Sequence, residues 1–362
     1  MFVIITYLVS RNSYLLNSRK ITKKPDNSNH LYYRKIGVFG IVFLSCLIGI
    51  YSIIASKYPY SSDRGNYVIR FVNYWDSPWT TGLNVLADFL HIFTNEPKVL
   101  FFTVSFLCLF ITLVAYNTFE NAQPKALLFM SLSSYCIDSF FLLKQAPSVA
   151  FAAISIAALF NRKFKISTIF LVIAISFHEA ALILIPLYIV LLGAKKQWVR
   201  IFQYIFLIVS ILFFSYVTKV ASGFIAQLLP NVSDQLSGYL DESGSIIQSA
   251  NILTIFKGFP YYFITFYAML KRSSLKSKIR NYDRYLVICV FATAMIIMSF
   301  YMYWMSRFAT YCYFPMFIFA SLIMREINNR GERFLFLMLV GGSLFFFTFR
   351  YLYQMFFLYG GF

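Results

Sequence analysis

His178-Glu179, Lys144-Gln145, Asp63-Arg64, Arg307 and Arg350 interrupt an otherwise apolar sequence. An imidazole titrates near neutrality, so it can take or give a proton under physiological conditions. A neighbouring carboxylate can do the same or orient it. Guanidinium groups stay charged and fork onto phosphate, whereas a lysine offers a point charge. An arginine kept charged in lipid is expensive and well suited to a lipid-linked pyrophosphate. The chain has no Asp-x-Asp and no His/Cys cluster, so neither a metal nor a cofactor is expected.

These residues have to be positioned by elements made almost entirely of hydrocarbon. Hydrophobic residues make up 59% of the 362, aromatics 20% and charged residues only 13%. A soluble domain carries about twice that share of charge, so most of this surface faces something other than water. Few Gly and Pro exclude collagen and disorder, and five Cys, all inside apolar runs, exclude a disulfide scaffold.

A crossing helix takes about 20 apolar residues at 1.5 Å each. Runs of that kind are 37–56, 98–116, 126–143, 146–160, 166–177, 180–193, 201–218, 258–270, 285–303, 308–324 and 334–349. Met1 to about Leu16 is a further candidate. Its start resembles a signal-peptide core with no small-residue cleavage site after it. The expected fold is therefore all-α, a polytopic helical bundle of eleven to twelve transmembrane helices in one domain.

The connections alternate in charge. One set, from Arg11 through Lys35, Lys125, Arg162–Lys165, Lys195–Arg200, Lys271–Arg284 and Arg325–Arg333, holds 23 of the 32 basic residues with five acids. The other set holds nine of each sign, so the whole net charge of +18 lies on one face. That asymmetry marks the basic face as cytoplasmic. It also argues against nucleic acid as a partner, since no exposed basic domain exists.

Two long segments lie on the opposite, periplasmic face. In the first, 57–97, Tyr67, Val68, Phe71, Val72 and Trp75 share one helical face, and Leu83, Leu86, Phe89, Leu90 and Phe93 share another. Helices of this kind lie among the headgroups. The second, 219–257, with Pro230, Gly238 and Gly244, reads as a polar loop.

An ionisable group at bilayer depth costs at least about 2.5 kcal/mol, so each needs a reason. Residues 166–193 have basic clusters on both flanks and only His178-Glu179 inside, which demands two passes. Their 28 residues rise about 42 Å where two full crossings need roughly 60 Å, so the His178 turn should sit recessed. The pair 126–160 is cramped in the same way around Lys144-Gln145, with Asp138 a turn and a half earlier. Both turns would then open one polar cavity to the periplasm. Plainer readings stand beside these: His178 as a capping histidine, Lys144 snorkelling to the headgroups, Asp138 neutralising Lys144, Arg350 ending the last span.

Ser61-Ser62-Asp63-Arg64-Gly65-Asn66-Tyr67 resembles the Asp-x-x-x-Tyr segment that opens the first periplasmic loop of EpsG-type exopolysaccharide polymerases, relatives of the Wzy O-antigen polymerases. Leu143-Lys144-Gln145-Ala146-Pro147 is similar to that family's Arg-Gln-x-x-Ala hairpin. Phe177-His178-Glu179-Ala180-Ala181, followed by Pro186, is similar to its His-x-Ser-Ala-Leu. Ser306-Arg307-Phe308 resembles its late Arg before an aromatic span. The ordered set covers roughly 57–325. Two departures matter. Lys144 replaces the usual Arg and loses its fork, and Glu179 adds a carboxylate where the family has a small or polar residue.

The resemblance implies a GT-C-like glycosyltransferase, facing the periplasm, that polymerises oligosaccharide repeat units of O-antigen or a related polysaccharide carried on undecaprenyl pyrophosphate. Lipid-linked glycans and the lipid bilayer are the expected partners, with a separate co-polymerase setting chain length. Arg307, Arg64, Lys144 and Arg350 would hold the pyrophosphate, Gln145 and Tyr67 the glycan. His178, then Glu179 or Asp63, would serve as base. A flippase for lipid-linked oligosaccharide and an O-antigen ligase are the alternatives.

Overall fold

The computed structural model describes residues 35–55, 62–72, 80–120, 122–212, 256–299 and 305–353, and every regular element among them is a helix. In chain order these are α1 (Val38–Ala55), α2 (Ser62–Val72), α3 (Thr81–His91), α4 (Pro97–Thr118), α5 (Pro124–Leu132), α6 (Tyr135–Asp138), α7 (Gln145–Phe160) and α8 (Phe164–Phe177). After a 3₁₀ turn, Glu179–Ile183, come α9 (Leu184–Leu192), α10 (Gln197–Leu212), α11 (Phe259–Leu270), α12 (Arg272–Leu275), α13 (Tyr282–Met298) and α14 (Met305–Glu326). The last are α15 (Arg330–Leu337), a π-helical turn at Met338–Gly342 and α16 (Ser343–Tyr353), one continuous rod. Pro97 and Pro124 open α4 and α5, where a missing N–H leaves no intrahelical bond unmade.

The chain is an all-α membrane protein. Pro97–Thr118, Met305–Glu326 and Arg330–Tyr353 are long and apolar enough to cross a bilayer, and several shorter apolar helices accompany them. Exposed apolar side chains recur at helical spacing, as in Ile166, Ile169 and Val172 on α8 and Ile201, Ile205 and Ile208 on α10. A face of that kind suits lipid, not water.

The apolar runs differ from the helices in three places. Run 126–143 is not one helix: it stops at Leu132 and resumes only as the single turn of α6. Ser133 and Ser134 bond to nearby backbone and side-chain atoms and so offer the chain an alternative to the helical ladder. Run 180–193 starts as a 3₁₀ turn. Run 334–349 widens into a π turn at Gly341-Gly342, where Gly341 lies against Leu132 and Phe129. The amphipathic stretches do form helices, α2 and α3. Residues 1–16, Trp75 and most of 219–257 lie outside the described residues.

The chain divides into two compact units, Met1–Leu182 with Phe317–Phe362, and Ile183–Met316. In the first, α7 and α8 run antiparallel in close contact. Ser155 and Ser167 donate to each other's carbonyls at 2.5 and 2.9 Å, and Ser148 Oγ donates to the Ala174 carbonyl at 2.7 Å. Ala150, Ala152, Ala153, Ala157 and Ala158 are buried along α7, the small side chains that let backbones approach without solvent to drive them together. Helix α4 lies alongside α7, and α1 packs on α4. Asn117 clamps Ile36 through both backbone groups, at 2.9 and 2.8 Å, and Asn161 donates to the Thr118 carbonyl at 2.7 Å. Those bonds gather the start of α1 and the ends of α4 and α7 beside Lys35, Arg162 and Lys163. This is the basic end of the unit.

In the second unit α13 packs against α9, α10 and α11. Thr265 and Thr293 hydroxyls meet at 2.7 Å, Tyr261 stacks on Tyr313 at 4.2 Å, and Phe206 stacks on Phe291.

Candidate functional site

Antiparallel pairing in the first unit fixes which polar residues share an end. Since Ser148 meets Ala174 and Ser155 meets Ser167, the start of α7 lies beside the end of α8, away from the basic end. Lys144 immediately precedes α7, Gln145 is its first residue and is buried, and His178 follows α8. One carbonyl joins the two turns. Ala174 accepts from Ser148 Oγ at 2.7 Å and from the His178 N–H at 3.1 Å.

Helices α2 and α3 reach the same place. Thr80 Oγ1 donates to the Phe177 carbonyl at 2.7 Å. Gly82 lies so close that a Cβ there would meet Phe177 and Ser176 side-chain atoms at 2.8 Å, so only hydrogen fits. Helix α3 also packs on α4, and α2 joins it through the Phe71–His91 rings, stacked at 4.2 Å. Asp63, Arg64 and Tyr67 therefore ride on a helix docked at this end. The side chains of Asp63 and Arg64 lie outside the described residues; Tyr67 is half-buried.

His178 itself is extended, with φ −156° and ψ 122°, which ends α8 and turns the ring back on the next residues. Its Nδ1 accepts the Ala180 N–H at 3.1 Å. An imidazole nitrogen that accepts carries no proton, so in the neutral ring the proton belongs to Nε2, and Nε2 is a hydrogen-bond donor. Glu179, the first residue of the 3₁₀ turn, is exposed.

The segment between α5 and α7 is polar for a different reason. Ser133 Oγ donates to Met130 O at 2.7 Å and accepts the Tyr135 N–H at 3.3 Å, and Ser139 Oγ donates to Cys136 O at 2.7 Å. Ser134 donates to the Asp138 carboxylate at 3.3 Å, and the Tyr135 hydroxyl lies 3.3 Å from that of Thr112 on α4. Backbone at membrane depth has no water to satisfy it, and these hydroxyls take that role.

Arg350 stands near the end of α16, in the first unit, on the rod whose middle packs against α5. Arg307 stands in the second unit, in the first turn of α14, half-buried. The described contacts of the first unit thus bring together the elements of Lys144, Gln145, His178, Asp63, Arg64 and Tyr67. Reading the sequence for ionisable groups missed Thr80, Gly82, Ser148 and Ala174, which set that arrangement. The small-residue spacing of Ala146, Ala150, Ala153 and Ala157 was the signal available for the seam.

No curated protein and no solved structure matches this chain. The EpsG family model matches residues 31–360, nearly the whole length and every element described above. By that match the chain belongs to the EpsG family of membrane proteins, broadly polysaccharide polymerase-like.

Proposed function

We propose that this chain is a membrane-embedded glycosyltransferase that joins oligosaccharide repeat units carried on undecaprenyl pyrophosphate, at the periplasmic face of the inner membrane. The observation that carries the reading is the convergence of the Lys144-Gln145 turn, the His178 turn and helix α2 at the end of the first unit away from its basic turns.

A hydroxyl of the acceptor repeat unit attacks the anomeric carbon of the donor's first sugar. The new C–O bond forms as the bond to pyrophosphate breaks, and undecaprenyl pyrophosphate departs with the electron pair. Cations lower the cost of the charge that develops on it: Lys144, Arg64 and Arg350, with Arg307 assigned to the same substrate from the sequence. Nε2–H of His178 donates to an oxygen of the departing phosphate or its sugar, a reading supported by the Ala180 bond to Nδ1, which leaves the proton on Nε2. The hydroxyl proton then passes to a carboxylate, Glu179 or Asp63. Gln145 and Tyr67 hold the glycan.

Replacing Arg307 and His178 singly with Ala, in a strain without its own copy, tests the assignment on a polysaccharide gel. Both variants are expected to lose the long-chain ladder while still reaching the membrane. A full ladder from both would remove them from the mechanism.

A further inference from the structure

The cytoplasm-side turns of the second unit border an open cavity that the polymerase reading does not use. It measures about 470 Å³ and is lined by Lys195, after α9, and by residues 276–284, the segment after α12 together with the first turn of α13. Volumes of a few hundred Å³ accommodate small ligands and headgroups. The lining carries five cations, Lys195, Lys276, Lys278, Arg280 and Arg284, against the single carboxylate of Asp283. That carboxylate is already engaged twice, by Arg272 Nη2 at 2.8 Å and by Lys276 Nζ at 3.0 Å. Arg272 adds a further charge behind it, and its other terminal nitrogen, Nη1, is buried with no acceptor among the described residues. The helix dipole adds to the excess. Asn281, left-handed at φ 62°, opens the 17-residue α13, so the positive end of that helix faces the same lining.

This segment is held, not loose. Leu275 and Ile279 are buried beneath it, and the Tyr282 hydroxyl donates to the Ala268 carbonyl on α11. Those anchors place Lys276, Lys278 and Arg280 on the outer side. Directly before it, α11 ends in exposed apolar side chains, Phe266 at 42% and Leu270 at 83%. An anion seated on the cations would therefore have hydrocarbon-binding surface beside it.

We propose that this cavity binds the phosphodiester headgroup of an anionic phospholipid, with its acyl chains along the Phe266–Leu270 face of α11. Basic pockets between membrane helices on the cytoplasmic side have the chemistry for such headgroups. A free phosphate would use the same cations but gain nothing from the apolar flank.

The full-length protein, purified in detergent, is mixed with equal amounts of phosphatidylglycerol and phosphatidylcholine, and the retained lipid is read by native mass spectrometry. Phosphatidylglycerol is expected to be favoured about ten-fold or more. Lys278→Gln with Arg280→Gln is expected to erase that preference. Lys163→Gln with Lys165→Gln, which removes the same charge from a turn of the first unit, is expected to keep it. Equal loss in both double variants means diffuse surface attraction and overturns the site. Displacement of the lipid by millimolar inorganic phosphate reassigns the cavity to a free anion and overturns the lipid. Lys195→Gln, on a separate exposed turn, covers the case in which the first variant does not purify. A preference unchanged by it overturns the proposal, and a several-fold drop supports it.

Discussion

Two polar turns interrupt the apolar helices of the first unit, and they handle polarity in opposite ways. Between Ser133 and Lys144 the hydroxyls and the Asp138 carboxylate are turned on the chain itself, repairing a helix that stops after Leu132. At His178 a single ring nitrogen serves the local backbone, and by doing so it fixes the proton on the other. Polarity inside a membrane thus comes in two kinds. One restores hydrogen bonds that lipid cannot offer; the other holds a group in a defined state at its far atom. Lys144 closes the first turn and belongs with the second kind, since its elements meet those of His178 through Ala174.

The largest effect that would break this comparison is expected at His178. If Nε2–H is the working atom, His178→Ala loses about 10²–10³-fold in polymer formed per unit time, the range for removing one donor to developing charge. His178→Gln, whose amide nitrogen reaches the place of Nε2, recovers much of that, while His178→Asn, which reaches only the place of Nδ1, does not. A proton-accepting role would leave Gln as inactive as Ala. The readout is the rate of polymer growth in membranes of matched protein content.

Lys144→Gln comes next. Removing one charge-assisted contact costs about 1.5–3 kcal/mol, roughly 10- to 150-fold in the same assay. Lys144→Arg, which restores the family's fork, is expected to match or exceed the native rate. Equal rates for Lys, Gln and Arg would move Lys144 into the repairing kind.

Gly82→Val places side-chain atoms on Phe177 and Ser176, and the crowding is worth about 1–3 kcal/mol. Since α3 must yield, the variant is expected to accumulate as folded protein with a lower midpoint of thermal unfolding and a weakened product ladder. Unaltered melting and activity would show that α3 does not brace the His178 turn. The smallest effect belongs to the repairing turn. Ser133→Ala loses the bonds to the Met130 carbonyl and from the Tyr135 N–H and is expected to lower stability by about 1 kcal/mol with the polymerisation rate unchanged. A rate loss larger than the stability loss would erase the distinction between the two turns.

Much of this arrangement is legible in residue order. The run 98–116 falls within Pro97–Thr118, and the amphipathic stretches form α2 over Ser62–Val72 and α3 over Thr81–His91, because apolar residues at helical spacing mark a helix even where, as at Val72 and Phe89, the side chain is exposed. The break at Ser133-Ser134 is not legible, since the run around it stays apolar and serine is tolerated in membrane helices. The proton on Nε2 of His178 is equally hidden, because it depends on where the Ala180 N–H points after a turn. Sequence counted 276–284 only as part of a basic face; the buried anchors Leu275 and Ile279 hold it as the lining, with Lys195, of an open cavity. Candidate ionisable groups could be named from their cost in lipid, but not the small residues that bring them together.

The most direct measurement is the surface glycan of a strain from which this chain alone has been removed. A polymerase leaves its substrate intact and transferable, so the account predicts lipid A-core carrying one repeat unit and no longer chains. Core without any repeat unit would contradict it, because that phenotype belongs to a flippase or a ligase.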